Sequence, residues 1–170
     1  LCPASLRPAV RAIYHYARCA DDIADEGDAR AEQRLDDMWR YREALEATLR
    51  GEDTQQVSQA WSSIFGNLRR AIVEHGLPAQ PLRDLLLAFE QDIRNPAYAD
   101  RAEVLDYCSR SADPVGRLLL HLYRIDDAAS LRQSDAVCSS LQLINFWQDL
   151  SVDLPRGRVY VPAADLARHG

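Results

Sequence analysis

Apolar residues recur every three or four positions along most of the chain, the spacing that lines one side of an α-helix. Alternation of the strand type is confined to Arg158-Val159-Tyr160-Val161, just before Pro162. An all-α fold is expected. The first helix is predicted from Ser5 to Glu26, with Leu6, Val10, Ile13, Ala17 and then Ala20 or Ala24 toward the core and Gly27 as a left-handed stop. Asp28 is placed to cap a second helix, which carries Leu35, Met38, Trp39, Leu45 and Leu49 and ends at Gly51. A third runs from Thr54 to Gly76 through Val57, Trp61, Ile64, Phe65, Leu68 and Ile72, and Pro78 and Pro81 mark the break after it. The fourth, built on Leu82, Leu85, Leu86, Phe89 and Ile93, stops at Asn95-Pro96, because the residue before a proline resists α geometry. The fifth starts near Ala102 and passes Leu122, with a kink or break expected at Pro114 and Gly116. The sixth spans Ser134 to Val152 and ends before Leu154-Pro155.

Composition narrows the function. A length of 170 residues suits one domain or part of a larger one, and 47% apolar with 27% charged residues is an ordinary globular mix. The 20 basic residues are all Arg, and 26 acidic residues bring the net charge to −6. That balance excludes a general nucleic-acid surface, and the missing Lys excludes Schiff-base and P-loop chemistry. Cys2, Cys19, Cys108 and Cys138 form no CxxC pair, so neither a disulfide framework nor a zinc site is expected and a reducing, cytoplasmic setting fits. No apolar run reaches the roughly 20 residues a membrane span needs, and the first residues, which show no basic-then-apolar order, are not expected to be a signal peptide. Leu1 and Arg168-His169-Gly170 are expected to be cut ends.

Two acidic clusters stand where helices pay a penalty for them. The first helix closes on Asp21-Asp22-Ile23-Ala24-Asp25-Glu26, and the sixth carries Asn145, Asp149 and Asp153 at successive i, i+4 steps. Four residues advance a helix by about 6 Å with a turn of about 40°, so each set projects oxygen atoms along one side. Carboxylates at a helix C-terminus face the negative end of the macrodipole at a cost of roughly 0.3 to 1 kcal/mol each. A hard cation reverses that penalty, and donors limited to oxygen point to Mg²⁺ rather than zinc. Mg²⁺ usually takes one or two carboxylates and completes its shell with water and phosphate, so the implied ligand is a polyphosphate. Solvated acidic faces paired with Arg18, Arg156 and Arg158 are the alternative for either cluster alone; the occurrence of both favours the cation.

These stretches carry a family resemblance. Tyr14-His15-Tyr16-Ala17-Arg18-Cys19-Ala20-Asp21-Asp22-Ile23-Ala24-Asp25 resembles the first aspartate motif of the squalene and phytoene synthases. Gln142-Leu143-Ile144-Asn145-Phe146-Trp147-Gln148-Asp149-Leu150-Ser151-Val152-Asp153, followed by Arg156-Gly157-Arg158-Val159-Tyr160-Val161-Pro162, resembles the second. The segment Ser111-Ala112-Asp113-Pro114-Val115-Gly116-Arg117 is most similar to the version in bacterial hydroxysqualene synthases of hopanoid biosynthesis.

The resemblance implies a type I isoprenoid synthase helical bundle, with residues 1–170 forming one incomplete domain that lacks N-terminal residues and the C-terminal helices that close the cavity. It assigns Asp21, Asp25, Asn145, Asp149 and Asp153 to Mg²⁺, and Arg18, Asp22 and Arg158 to the substrate diphosphate. Tyr14, Tyr107, Gln142 and Tyr160 match catalytic polar residues, and Val115, Gly116 and Leu119 match the hydrocarbon pocket, with Phe146 beside them. The implied reaction turns presqualene diphosphate and water into hydroxysqualene and diphosphate, without NADPH. Presqualene diphosphate, squalene and phytoene synthase, the first of which acts on farnesyl diphosphate, share these motifs, and a non-catalytic helical scaffold is the reading from a different class. A lipid substrate implies a cytoplasmic protein with peripheral contact at the inner membrane leaflet; the oligomeric state is left open. His15, His75, His121 and His169 show no ligand spacing, and Trp39, Trp61 and Trp147 are expected to pack in the core.

Overall fold

The computed structural model describes residues 2–52 and 59–169, and there the helical periodicity becomes α1 (Arg7–Asp25), α2 (Ala31–Arg50), α3 (Ser62–His75), α4 (Ala79–Arg94), α5 (Arg101–Ser111), α6 (Asp113–Leu122), α7 (Ala128–Gln148), α8 (Leu150–Asp153) and α9 (Ala163–His169). No strand occurs among the described residues. The all-α expectation agrees with this architecture. No helix among the described residues is long and apolar enough to cross a membrane.

Expected stops hold where a residue can take left-handed backbone. Gly51 and Gly76 close α2 and α3 at φ 79° and 65°, and Asn95 closes α4 at φ 47°, a conformation that Asn tolerates better than most side chains. Starts and breaks differ more. The expected beginning of the third helix at Thr54, with Val57, lies outside the described residues. Asp28 does not cap α2; Arg30 precedes the helix with no side-chain cap, because residues 27–29 are drawn into a turn bonded to Arg34. The expected fifth helix is two: Ala112, at φ −114°, separates α5 from α6, and Pro114 sits in the first turn of α6, where its missing N–H costs nothing. The sixth starts at Ala128 instead of Ser134, since Asp127 caps it through Ala129 and Ser130 at 3.1 and 2.9 Å. It ends at Gln148, and Asp149, at ψ 6°, breaks it from α8.

Two apolar clusters follow from this packing. The larger joins α1, α2, α3 and α4 with Leu118 and Leu122 of α6; Tyr16, Tyr41, Phe65, Leu68, Leu82 and Leu85 are essentially inaccessible within it. Each such side chain contributes roughly 1.5–3 kcal/mol of burial. Tyr16 donates to the Leu82 carbonyl at 2.8 Å and Tyr41 to the Tyr16 carbonyl at 2.9 Å, so three helices are fixed by satisfied buried hydroxyls. The second cluster gathers Ala88, Tyr98, Val104, Tyr107, Cys108 and Phe146, with Leu143 and Tyr160 against it. Helix α4 serves both clusters and places its C-terminal end between them. Along α7 only Phe146 is buried, and Val137, Leu141, Ile144 and Trp147 are exposed. Trp39 on α2 and Trp147 on α7, expected in the core, are 60% and 61% exposed; for Trp147 the reason is that α7 packs chiefly on α5, α6 and α8, which leaves its far side uncovered.

Candidate active site

The acidic end of α1 meets the turn after α8. Asp25 lies 2.7 Å from the Arg158 guanidinium through Oδ1 and 3.4 Å from that of Arg156 through Oδ2. Gly157, at φ 73°, lets the chain reverse between these two arginines. The Asn95 amide donates to the Gly157 carbonyl at 2.9 Å and ties that turn to the end of α4. Asp25, Asp92, Asn95, Arg34, Arg156 and Arg158 line a polar hollow of about 510 Å³. Closer to solvent, Arg18 pairs with Asp21 at 2.8 Å and with Asp22 at 2.8 Å. The Asp22 Oδ1 atom in that second pair lacks hydrogen-bonding geometry and has no hydrogen-bond partner among the described residues.

Burial raises the Asp21 carboxyl above its usual range; Arg18 opposes this, and Asp25 and Asp22 add to it. Asp153 is also raised, again by burial first, with Arg158 opposing and Asp149 and Asp25 adding. The two acidic clusters therefore feel each other across the arginines.

Behind the hollow stands a carboxylate that the motif reading passes over. Asp92, in the last turn of α4, accepts from the Tyr107 hydroxyl at 2.8 Å and from the Tyr160 hydroxyl at 3.2 Å. Burial pushes it up to about 6, against the hydrogen bonds of both tyrosines and the charge of Arg158. Both hydroxyls are in turn raised well above their ordinary value, by burial first and then by Asp92. Like Asp25 in α1, Asp92 faces the negative end of its own helix dipole. The Tyr160 ring stacks on Phe146 at a centroid distance of 3.9 Å and an angle of 3°. With Leu105, Leu143, Trp147 and Val161, these two rings line an apolar hollow of about 270 Å³. Tyr160 thus lines the apolar hollow and is hydrogen-bonded to Asp92, which lines the polar one.

Tyr107 and Tyr160 bond Asp92, which feels the charges of Arg158 and Asp21, and Arg158 in turn gathers Asp25 and Asp153, with Arg18 and Asp22 at the margin. No side-chain hydrogen bond joins Tyr14, Gln142, Asn145 or Asp149 to them among the described residues. Tyr14, Asn145 and Asp149 are exposed and Gln142 is half-buried. The break at Asp149 also means that Asn145, Asp149 and Asp153 do not share one continuous helix, although the backbone bonds from Asp149 to Asn145 and from Asp153 to Asp149, at 2.9 and 2.8 Å, preserve the four-residue step. Val115 is exposed and Leu119 half-buried. Gly116, expected in the hydrocarbon pocket, allows α6 and α7 to touch: a Cβ there would meet Ser134 Oγ and Cys138 Sγ below contact distance. Asp113 in the same segment is buried and accepts from Ser139 at 2.8 Å, a second link to α7.

Among the described residues, no group of three or more His, Cys, Asp or Glu side chains is gathered to hold a metal by itself. The donors at this site are carboxylate and amide oxygen atoms, split between the end of α1 and the stretch from the end of α7 through α8. Such a set fits a hard cation that takes one or two carboxylates and shares the rest of its shell with phosphate and water.

Known proteins are similar to this chain along its length. A sequence profile of the squalene/phytoene synthase family matches residues 1–170. The hydroxysqualene synthase of Sinorhizobium fredii is 36% identical over 165 residues, covering 96% of this chain and 53% of that protein. The presqualene diphosphate synthase of Rhodopseudomonas palustris is 28% identical over 169 residues, covering 99% of this chain and 57% of its own length. The crystal structure of squalene synthase HpnC from Alicyclobacillus acidocaldarius superposes with a TM-score of 0.86 at 37% identity, over 99% of this chain and 60% of that one. The chain thus spans a little over half the length of these relatives and shares the helical fold of the solved one. It belongs to the squalene/phytoene synthase family.

Proposed function

We propose that this chain carries the diphosphate-binding part of an enzyme that converts presqualene diphosphate and water to hydroxysqualene and diphosphate. The observation that supports it is the meeting of Asp25 with Arg156 and Arg158 at a polar hollow, with an apolar hollow one tyrosine ring away. A prenyl diphosphate has those two ends. The choice among head-to-head reactions rests on Ser111-Ala112-Asp113-Pro114-Val115-Gly116-Arg117 and on the likeness to the hydroxysqualene synthase.

Asp21 and Asp25 on one side, with Asn145, Asp149 and Asp153 on the other, would hold Mg²⁺, which when bound neutralises charge on the leaving diphosphate. Arg18, Arg156 and Arg158 supply fixed positive charge where the phosphate oxygens gain negative charge as the carbon–oxygen bond ionises. To accept the diphosphate, Arg158 exchanges part of its contact with Asp25 for phosphate. Tyr107 and Tyr160, oriented by Asp92, hold their rings and hydroxyl dipoles beside the hydrocarbon, and the ring faces of Tyr160 and Phe146 outside their mutual stack favour a carbocation. Exclusion of bulk water by the apolar wall limits the cation to one admitted water molecule. Tyr14 and Gln142 contribute polar edges to this site, and Val115 and Leu119 apolar ones. The reaction needs no NADPH. A lipid diphosphate places the enzyme in the cytoplasm, in peripheral contact with the inner leaflet.

Product analysis by mass spectrometry tests this. Presqualene diphosphate with Mg²⁺ and without NADPH is expected to give hydroxysqualene. Presqualene diphosphate or phytoene formed from an allylic diphosphate would replace the assigned reaction with another of the family, and no product from either substrate would favour a helical scaffold.

A further inference from the structure

Arg34, in the first turns of α2, has a role that neither the motifs nor the mechanism above uses. Its guanidinium donates to three backbone carbonyls of the preceding connection: Nη1 to Ile23 at 3.0 Å, Nη2 to Gly27 at 2.7 Å and Nε to Ala29 at 3.0 Å. These acceptors bracket Asp25 and Glu26. Ile23 lies in the last turn of α1, where carbonyls lack intrahelical partners, and that turn holds acidic side chains and no basic one. Arg34 therefore supplies from α2 the cation that the negative end of α1 lacks. Only a planar fork reaches all three acceptors; a Lys ammonium is a single point of charge. The side chain is half-buried and lines the same polar hollow as Asp25 and Arg158.

We infer that Arg34 is a positioning residue: by clamping residues 23–29 it holds the Asp25 carboxylate toward Arg158 and, on the function proposed above, toward the diphosphate and its cation. Arg69 offers an internal comparison. It makes the same kind of contact at the end of α2, donating to the carbonyls of Gly51 at 2.8 Å and Glu52 at 3.4 Å, and it does not line the hollow. Loss of Arg69 should cost stability without touching the site.

The test compares wild type, Arg34→Lys, Arg34→Ala and Arg69→Ala by amide hydrogen exchange and by titration with pyrophosphate in the presence of Mg²⁺, well below the unfolding temperature of each. Both Arg34 variants should exchange faster over residues 24–30 and bind pyrophosphate about tenfold more weakly, the factor that a lost charged hydrogen bond supplies. Arg69→Ala should match wild type in affinity. Wild-type affinity in Arg34→Lys and Arg34→Ala, or an equal loss in Arg69→Ala, overturns the inference. A wild type that binds no pyrophosphate overturns the functional proposal instead; the clamp is then decided by exchange alone, faster in Arg34→Lys supporting it and unchanged rates refuting it.

Discussion

Asp25 Oδ1 and the Arg158 guanidinium lie 2.7 Å apart, joining the acidic end of α1 to the turn that follows α8. The pair links the two motifs directly, from opposite ends of the chain. Arg158 is raised above its ordinary value although burial opposes its charge, because Tyr160, Asp25, Asp92 and Asp153 surround it. One guanidinium thus balances much of the acidity at the site.

Arg158→Ala removes that balance. Part-exposed ion pairs contribute about 1 kcal/mol or less to folding, so the melting temperature should fall by only a few degrees. Pyrophosphate affinity, measured by titration, should fall by about tenfold or more, since charged hydrogen bonds to phosphate are the stronger kind. Equal affinity in variant and wild type would remove Arg158 from the diphosphate site.

Asp21→Ala and Asp149→Ala should separate stability from activity. Each deletes a carboxylate from a helix end whose dipole disfavours it by about 0.3–1 kcal/mol, so thermal unfolding should be unchanged or slightly later. Turnover of presqualene diphosphate should be lost in both. Unchanged turnover in both variants would contradict their assignment to the cation.

Asp92 predicts a pH dependence of fixed sign. Burial pushes its carboxyl up to about 6 from the ordinary Asp value of 3.8, so the folded protein holds this proton more tightly than the unfolded chain. Its contribution to stability is greatest below about pH 4 and is lost as pH rises through about 6, by up to roughly 3 kcal/mol. Asp92→Asn should remove this downward trend from a plot of melting temperature against pH between 4 and 7. Parallel curves for variant and wild type would show that Asp92 is not held protonated.

Gly116→Ala should destabilise by about 1–3 kcal/mol, the usual cost of overpacking, because the new methyl meets Ser134 Oγ and Cys138 Sγ below contact distance. Adding Ser134→Ala and Cys138→Ala removes both atoms and should restore most of the loss in a denaturant titration. No recovery in the triple variant would place the strain elsewhere.

Residues that act through their own backbone were readable in the sequence: Gly51, Gly76 and Asn95 end helices where left-handed geometry is required, and Pro114 marks the break between α5 and α6. The Asp127 cap was equally available as a local signal, yet the weak apolar periodicity of residues 128–133 hid the start of α7. Asp25 and Arg158 were legible as members of motifs, and their contact was not, since nothing in local spacing orients a turn against a distant helix. Asp92 depends on two tyrosines and burial that only tertiary packing supplies, and the carbonyls bound by Arg34 belong to a turn that a capping Asp28 was expected to occupy. Gly116 fell within a recognised motif, but its neighbours on α7 lie across a helix contact.

The central claim is that the acidic end of α1 and the arginines of residues 156–158 form one site for a metal-bound diphosphate. Calorimetric titration with pyrophosphate, with and without Mg²⁺, in wild type and Asp25→Asn, tests it most directly. The account predicts binding that requires Mg²⁺ and is lost in Asp25→Asn, whereas metal-independent binding, or full binding by Asp25→Asn, would contradict it.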